Sequence, residues 1–188
     1  MIRDIFLFSS YTGFPYREVF NLGPHHLKLR NDGEIWASLS RQKTDEDEAV
    51  PLLPPALKLI EKYKEDSEAV KRHRLFPVPS NQEYNRGLKE ITAILKIEGI
   101  ILKTHKARFY FANEVTYNNG VPLKTVSRIL GHQSIKTTEI YVQANTRNIS
   151  ENMKMVKAKL FNNDGELKPA ASVVEISHPL KVVHIANK

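Results

Sequence analysis

The spacing of apolar residues predicts that the chain opens with helices. The short apolar segment from Arg3 to Ser10 predicts a core helix. Thr12-Gly13 then predicts a turn into a second helix, which runs to about Leu22 and has Pro15 in its first turn, where proline is well tolerated.

A period of two replaces the helical spacing in the next segment. Apolar and polar residues alternate over residues 27–29 and 35–39, and Asn31-Asp32-Gly33 stands between the two runs. Alternation on both sides of a turn sequence predicts a β-hairpin. Residues 49–52 predict a third strand, so this part of the chain is expected to form a small antiparallel sheet.

Helical spacing returns after the sheet. Ser80 and Glu83 form a capping box, which predicts the start of a helix that Gly99 would end. The segment between Tyr63 and Leu75 is highly charged and predicts a loop. The other expected helices are Pro54 to Tyr63, His105 to about Asn118, Pro122 to Leu130, a short helix that carries Tyr141, and Ser150 to Leu160. The expected fold class is therefore α+β, mainly α, with a three-stranded antiparallel sheet.

Composition restricts the classes of function. The 188 residues include 28 Lys and Arg against 21 Asp and Glu, a formal net charge of +7, which favours polyanionic partners such as nucleic acid. The chain has no cysteine, which excludes disulfides, zinc sites with thiolate ligands and cysteine nucleophiles. No apolar run is long enough to cross a bilayer or to act as a signal peptide, so we expect no membrane association and a cytoplasmic location.

The second half of the chain contains an ordered set of polar residues. His105 and Arg108 form an H-x-x-R motif, Gly131 and His132 follow a predicted helix, and Tyr141 comes nine positions later. This order and spacing resemble the catalytic core of the tyrosine recombinases, the phage integrase family of DNA strand exchangers. The resemblance covers about residues 5 to 160. It implies site-specific recombination, meaning integration or excision, by cleavage and religation of DNA through a 3′-phosphotyrosine intermediate.

The resemblance assigns a role to each of these residues. Tyr141 would attack the phosphorus, and Arg108, His105 and His132 would contact the phosphate. These residue types suit the chemistry because a guanidinium can donate two parallel hydrogen bonds to phosphate. A free phenol has a pKa of roughly 10, so a tyrosine nucleophile needs a base or a cationic setting. The family also uses a lysine of the sheet hairpin as general acid, and Lys43 is the matching residue.

The sequence departs from the family at its first arginine. Thr12-Gly13-Phe14 resembles the family's turn, but Pro15 stands where the arginine is normally found. Arg17 would face away from the site, because two residues correspond to roughly 200° around a helix. Arg41 would share a strand face with Lys43 and is our candidate substitute for the missing guanidinium. An ordinary surface arginine is the alternative for that position.

No cofactor or metal is expected. His105 and His132 have no third ligand at metal-binding spacing, and the eight glycines occur singly, without a phosphate-binding loop. The expected partner is a double-stranded DNA recombination site, which full-length members bind as tetramers.

We expect residues 1–160 to form the catalytic domain and residues 161–188 a flexible or partner-docking extension. The helix from Ser150 to Leu160 is the candidate docking element, unless it packs on its own domain. The chain begins almost at the first catalytic helix, which suggests an excised catalytic domain or a truncated product without the core-binding domain of the family. Two alternatives stay open: a catalytically impaired DNA-binding remnant and, less favoured, a type IB topoisomerase.

Overall fold

A computed structural model of the chain describes residues 1–39, 48–96, 99–142 and 146–168. The chain forms two compact units, residues 1–144 and residues 145–188. The described part of the first unit is mostly helical with one small sheet, so the predicted mainly α fold class is confirmed. Its helices are α1 (Ile2–Thr12), α2 (Tyr16–Asn21), α3 (Pro54–Tyr63), α4 (Ser67–Lys71), α5 (Asn81–Ile94), α6 (Thr104–Tyr110), α7 (Leu123–Ile129) and α8 (Ile135–Glu139).

The first helix lies at the centre of this unit, where α1 packs against α2, α3, α5 and α6. Ile5 and Phe8 are fully buried and lie three residues apart, so they share one helix face. The ring of Phe8 contacts that of Phe76, with 4.7 Å between the centroids. Burial of each such side chain contributes about 1.5–3 kcal/mol. The apolar opening segment therefore supplies the middle of the core, as its pattern predicts.

Asp4 is a buried carboxylate on α1, with 1% of its surface exposed. It accepts hydrogen bonds from the Lys62 ammonium, from the Tyr63 hydroxyl at 3.0 Å and from Nε of Arg3 at 2.8 Å. Burial alone would raise the pKa of this carboxyl. The bonds from Lys62, Arg3 and Tyr63 outweigh burial and lower the pKa from 3.8 to about 2.

The Asp4→Asn variant is expected to be less stable than the wild type by about 2 kcal/mol at neutral pH. Because the folded-state pKa is depressed, this contribution is present above 3.8 and is lost as the pH falls through about 2. Urea denaturation at neutral and acidic pH measures the difference. Glu90→Gln, an exposed carboxylate of α5, is the control. A stability difference that does not shrink in acid would contradict the assignment.

The sheet has the strand order β1 (Leu27–Leu29), β2 (Ile35–Leu39) and β3 (Glu48–Pro51), with both pairs antiparallel. Ala37 lies opposite Leu27 on one side and Val50 on the other. Ala37 and Val50 are buried, which places this face of the sheet in the core. The predicted hairpin and third strand are confirmed. The connection from β2 to β3 includes residues 40–47, which lie outside the described residues.

Two short polar sequences set helix starts. The Ser80 hydroxyl accepts a bond from the Glu83 amide at 3.3 Å, and the Glu83 carboxylate accepts one from the Ser80 amide at 3.1 Å. The predicted capping box is therefore confirmed at the start of α5. The charged segment predicted as a loop instead contains α4, because the Asp66 carboxylate accepts bonds from the amides of Glu68 and Ala69 and caps that helix.

The helix predicted from His105 to Asn118 changes its winding along its length. Regular α-helix ends at Tyr110, a π-helical turn spans Phe111–Thr116, and a 3-10 turn spans Tyr117–Asn119. The Thr116 hydroxyl donates to the Phe111 carbonyl at 3.0 Å and to the Ala112 carbonyl at 2.8 Å, which satisfies acceptors in the widened turn. Helix length is thus predicted well, but the internal change of winding is not.

The second unit contains α9 (Thr146–Leu160), which starts four residues before the predicted Ser150. After it, Phe161 and Leu167 form an isolated β-bridge around the turn at Asn162–Gly165. The α9 residues Met153, Val156 and Leu160 are exposed. The strand-like segments expected within residues 169–188 lie outside the described residues.

Candidate active site

Arg108 is a buried cation at the centre of the site, with 8% of its surface exposed. Its Nη1 donates to the carbonyl of Gly13 at 2.6 Å, and its Nη2 donates to the carbonyl of Leu130. Gly13 ends α1 and Leu130 ends α7. Hydrogen bonds from a charged donor contribute about 1.5–3 kcal/mol each. Arg108 therefore joins the ends of two helices to α6, and these bonds fix the plane of its guanidinium.

Gly13 occupies a position where a side chain would not fit. Its φ is 76°, in the left-handed region that favours glycine, and an added Cβ would lie 2.6 Å from a ring carbon of Phe111. The turn thus brings the backbone of α1 close to the helix that carries Arg108. This close approach is what puts the Gly13 carbonyl within reach of the guanidinium.

His132 follows Gly131, whose φ of 61° ends the α7 segment in a left-handed turn. Its Nε2 lies 3.4 Å from Nη2 of Arg108, and its Nδ1 lies 2.9 Å from the hydroxyl oxygen of Thr138. Thr138 is fully buried in α8. The imidazole is thus oriented through one nitrogen while its other nitrogen faces the guanidinium.

Replacing Thr138 with valine is expected to slow the DNA cleavage that the integrase resemblance implies by about tenfold, because it removes the hydroxyl that orients His132 but retains the side-chain shape. The matched control is Thr137→Val, because Thr137 is the exposed neighbour on the same helix. The rate of covalent attachment to nicked DNA is the measurement. Equal rates for the two variants would show that the Thr138 hydroxyl does not act on His132.

The sequence predicts a short helix that carries Tyr141. In the structure Tyr141 instead lies two residues after the end of α8. Its hydroxyl oxygen is 2.6 Å from Nε2 of His105. Its ring contacts two imidazoles, with centroid distances of 5.1 Å to His105 and 5.5 Å to His132, and it also contacts Phe109 at 5.9 Å. Only 8% of Tyr141 is exposed. The rings that cover it include two polar imidazoles as well as the apolar ring of Phe109.

The lowered pKa of His105 favours a neutral ring, which can accept a proton. Partial burial of the ring is the main cause that lowers its pKa below 6.5, and the positive charges of Arg108 and Lys106 act in the same direction. A neutral imidazole with its proton on Nδ1 presents a lone pair at Nε2. In that tautomer the Tyr141 hydroxyl donates to His105, which is the geometry of a phenol beside a general base.

Comparison with known proteins identifies the family. The model of the phage integrase family matches residues 2–148 of this chain. The chain belongs to the phage integrase family. Among curated relatives, it is 30% identical over 109 residues to tyrosine recombinase XerD of Rhizobium meliloti, covering 54% of this chain and 35% of that protein. It is 27% identical over 146 residues to XerD of Agrobacterium fabrum, covering 65% of this chain and 43% of that protein. The chain thus spans less than half of these relatives.

Solved structures of integrase-family proteins share the fold. The XerH site-specific recombinase in a post-cleavage complex with palindromic difH substrate gives a TM-score of 0.64 at 22% identity, covering 83% of this chain and 46% of that one. The XerA recombinase gives 0.59 at 20% identity, covering 83% and 62%. These similarities confirm the predicted tyrosine recombinase catalytic-core fold.

The structure brings together four of the residues predicted from the integrase motif: His105, Arg108, His132 and Tyr141. Lys43 and Arg41 lie outside the described residues, so their predicted roles stay predictions. Pro15 is the N-cap residue of α2, and Arg17 is exposed to solvent. The position at which the family has its first arginine therefore carries no cation.

Three neighbours of Tyr141 were not predicted from the sequence. Thr138 contacts His132, Phe109 contacts the Tyr141 ring, and Asn113 donates a hydrogen bond to the Tyr141 carbonyl. Thr138 was visible in the sequence only as part of a polar run, and Asn113 as one more polar position on a predicted helix. Neither position carries a local signal, because each contact depends on how α6, α7 and α8 pack.

Over residues 1–39, 48–96, 99–142 and 146–168, no three His, Asp or Glu side chains are grouped so that they could hold a metal ion. Within the same ranges, no helix is both long enough and apolar enough to cross a bilayer.

Proposed function

We propose that this chain is the catalytic domain of a site-specific recombinase, which cuts and rejoins DNA through a 3′-phosphotyrosine. The observation that carries the proposal is the 2.6 Å approach of the Tyr141 hydroxyl to Nε2 of His105, beside the buried cation Arg108. A nucleophile, a base and a phosphate clamp are the minimum for metal-free cleavage of a phosphodiester. Membership of the phage integrase family supports the same reaction.

The residues divide the reaction between them. The phenolic oxygen of Tyr141 forms a bond to phosphorus and gives its proton to His105, while the bond from phosphorus to the 5′ oxygen breaks. Lys43, predicted from the sequence, donates a proton to that leaving oxygen. Rejoining reverses these steps, with the 5′ hydroxyl of a DNA strand as the nucleophile and Tyr141 as the leaving group.

Arg108 and His132 would neutralise the non-bridging oxygens of the phosphate. Arg108 acts by its charge and by N–H donation. When the Thr138 hydroxyl donates to Nδ1 of His132, the ring proton lies on Nε2, which then cannot accept from Nη2 of Arg108. Both groups would instead donate to a phosphate oxygen bound between them. Preorganised donors of this kind are worth roughly 10²- to 10³-fold in rate each.

The partner is a double-stranded DNA recombination site. The net charge of +7 favours its binding, because the DNA phosphates are negatively charged. The recombinase would act as a tetramer, with α9 docking on a neighbouring copy. The exposure of Met153, Val156 and Leu160 on α9 supports that docking role. A catalytic domain over residues 1–160, an extension over residues 161–188 and a cytoplasmic location stay predictions.

One observation favours a second candidate, a DNA-binding remnant with impaired catalysis. Pro15 offers no donor where the family has its first arginine, and the loss of one oxyanion donor reduces rates by roughly 10² to 10³. A remnant of this kind would bind DNA but leave it intact. The two functions differ in whether a covalent bond forms.

The test is incubation of the full chain with a library of nicked duplexes that have a random central sequence and a 5′ label on the nicked strand. Cleavage near the nick releases a short fragment that diffuses away, so a covalent protein–DNA adduct accumulates and is retained on a denaturing gel. We expect a protease-sensitive labelled band, with the modified peptide containing Tyr141. Salt-sensitive binding without any such band would establish the remnant instead.

A further inference from the structure

We propose that Asn113 is a positioning residue that holds the backbone of Tyr141 in place for attack. The inference rests on the proposed function and deepens it, because it names the contact that sets where the nucleophile stands. Asn113 lies in the helical segment that begins with His105 and Arg108, and 7% of its surface is exposed. Its side-chain amide donates a hydrogen bond to the main chain of the nucleophile.

The carboxamide of Asn113 bridges two segments that are distant in sequence. Its Nδ2 donates to the carbonyl oxygen of Tyr141 and to the carbonyl oxygen of Phe109 at 3.1 Å. Both partners are carbonyl oxygens, which only accept, so only the amide nitrogen of the side chain can face them. The contact therefore requires a donor with two hydrogens, and among small side chains asparagine supplies one.

The backbone at Tyr141 makes few other hydrogen bonds within the described residues around it. Its amide donates to the Thr138 carbonyl at 2.9 Å, and the Val142 amide donates to the Glu139 carbonyl at 3.2 Å. Both of these bonds are local to the turn after α8. Of these three hydrogen bonds, the bond from Asn113 connects the turn to the helix that carries His105. It therefore couples the position of the nucleophile to the position of its base.

The change of helix winding explains why Asn113 can reach the nucleophile. Eight residues after His105, a regular α-helix would place Asn113 roughly 80° around the axis. The π-helical turn at Phe111–Thr116 closes with i to i+5 spacing and so advances less per residue, which moves Asn113 toward the face of His105. A π-helical turn at this point is therefore consistent with a functional role for the residue within it.

Asn113→Asp is the sharpest test, because it keeps the shape but turns a carboxylate oxygen toward two carbonyl oxygens. At saturating concentrations of the nicked duplex library, we expect adduct formation to slow by roughly 10- to 100-fold with DNA affinity unchanged. Asn119→Asp is the matched control. Asn119 is exposed in the same helical segment and also donates its side-chain amide to carbonyls, those of Glu114 at 2.7 Å and Val115 at 3.3 Å, but has no contact with Tyr141.

Two further measurements separate positioning from a general loss of structure. A protonated carboxyl group can donate one of the two hydrogen bonds that the amide makes, so the rate of Asn113→Asp relative to the wild type should rise in part as the pH is lowered. Hydrogen exchange at the amides of Tyr141 and Val142 should accelerate in Asn113→Asp but not in α5. Asn113→Ala, which removes the donor without adding charge, should show the same local acceleration and a smaller loss of rate.

Each outcome decides the inference. Equal slowing by Asn119→Asp, a relative rate that stays flat with pH, or unchanged exchange at Tyr141 and Val142 in both Asn113 variants would overturn it. If the wild type forms no adduct, the proposed function fails, yet the exchange measurement still shows whether Asn113 holds this segment. The two failures are thereby distinguishable.

Discussion

The Tyr141→Phe variant is expected to form no covalent DNA adduct at all, while it folds and binds DNA as the wild type does. The substitution removes only the phenolic oxygen, the atom that lies 2.6 Å from His105 and would bond to phosphorus. The ring contacts with His105, Phe109 and His132 do not require that oxygen. Because His105 is itself exposed to solvent, water can take the place of the lost hydroxyl.

The control for this variant is Tyr110→Phe. Tyr110 lies on the same helix as His105, and 46% of its surface is exposed, so loss of its hydroxyl should leave the adduct unchanged. A labelled band that persists in Tyr141→Phe would assign the nucleophile to another residue. Thermal unfolding of both variants, compared with the wild type, separates a missing nucleophile from a missing fold.

Pro15→Arg is expected to increase the rate of adduct formation by roughly 10²-fold, because it restores the guanidinium that the family normally has at this position. The backbone at position 15 is extended, with φ of −70° and ψ of 161°, which arginine adopts without strain. Two residues earlier in the same turn, the Gly13 carbonyl already contacts Arg108. A new guanidinium would therefore stand near the existing one, with a bound phosphate between them.

Pro24→Arg is the matched control, because it also exchanges a proline for arginine and adds the same charge in a segment that contributes no residue to the site. Equal gains in the two variants would mean that extra charge merely improves DNA binding. The Arg41→Ala substitution, made alone and together with Pro15→Arg, tests the predicted replacement. The 10²-fold gain is expected if no other residue supplies the missing donor. If Arg41 supplies it, Pro15→Arg alone gives little gain, and Arg41→Ala slows the wild type strongly and the Pro15→Arg variant only weakly.

Local sequence signals predicted much of the fold. The alternation around residues 27–39 predicted the hairpin, because a period of two with a turn sequence has few other solutions. The Ser80 and Glu83 pair predicted the start of α5, because capping is decided within four residues. The short α4 was missed, since its cap at Asp66 was hidden in a charged run. The π-helical turn was missed as well, because its cause lies in tertiary contacts.

The candidate site shows the same division between local and distant causes. The four residues His105, Arg108, His132 and Tyr141 could be predicted from the sequence because their order and spacing match a known motif. The structure brings their side chains together. Thr138 and Asn113 stand in no motif. Their contacts form only where helices from different parts of the chain pack together. Such packing cannot be predicted from the local pattern of a single sequence.

Gly13 has a consequence for variation in this protein. The absent side chain leaves room for the Phe111 ring, and the same residue offers its carbonyl to Arg108. Any larger residue must push aside the aromatic ring that begins the segment carrying Asn113. A substitution at this one position is therefore expected to change the packing of Phe111 and the anchoring of the Arg108 guanidinium together.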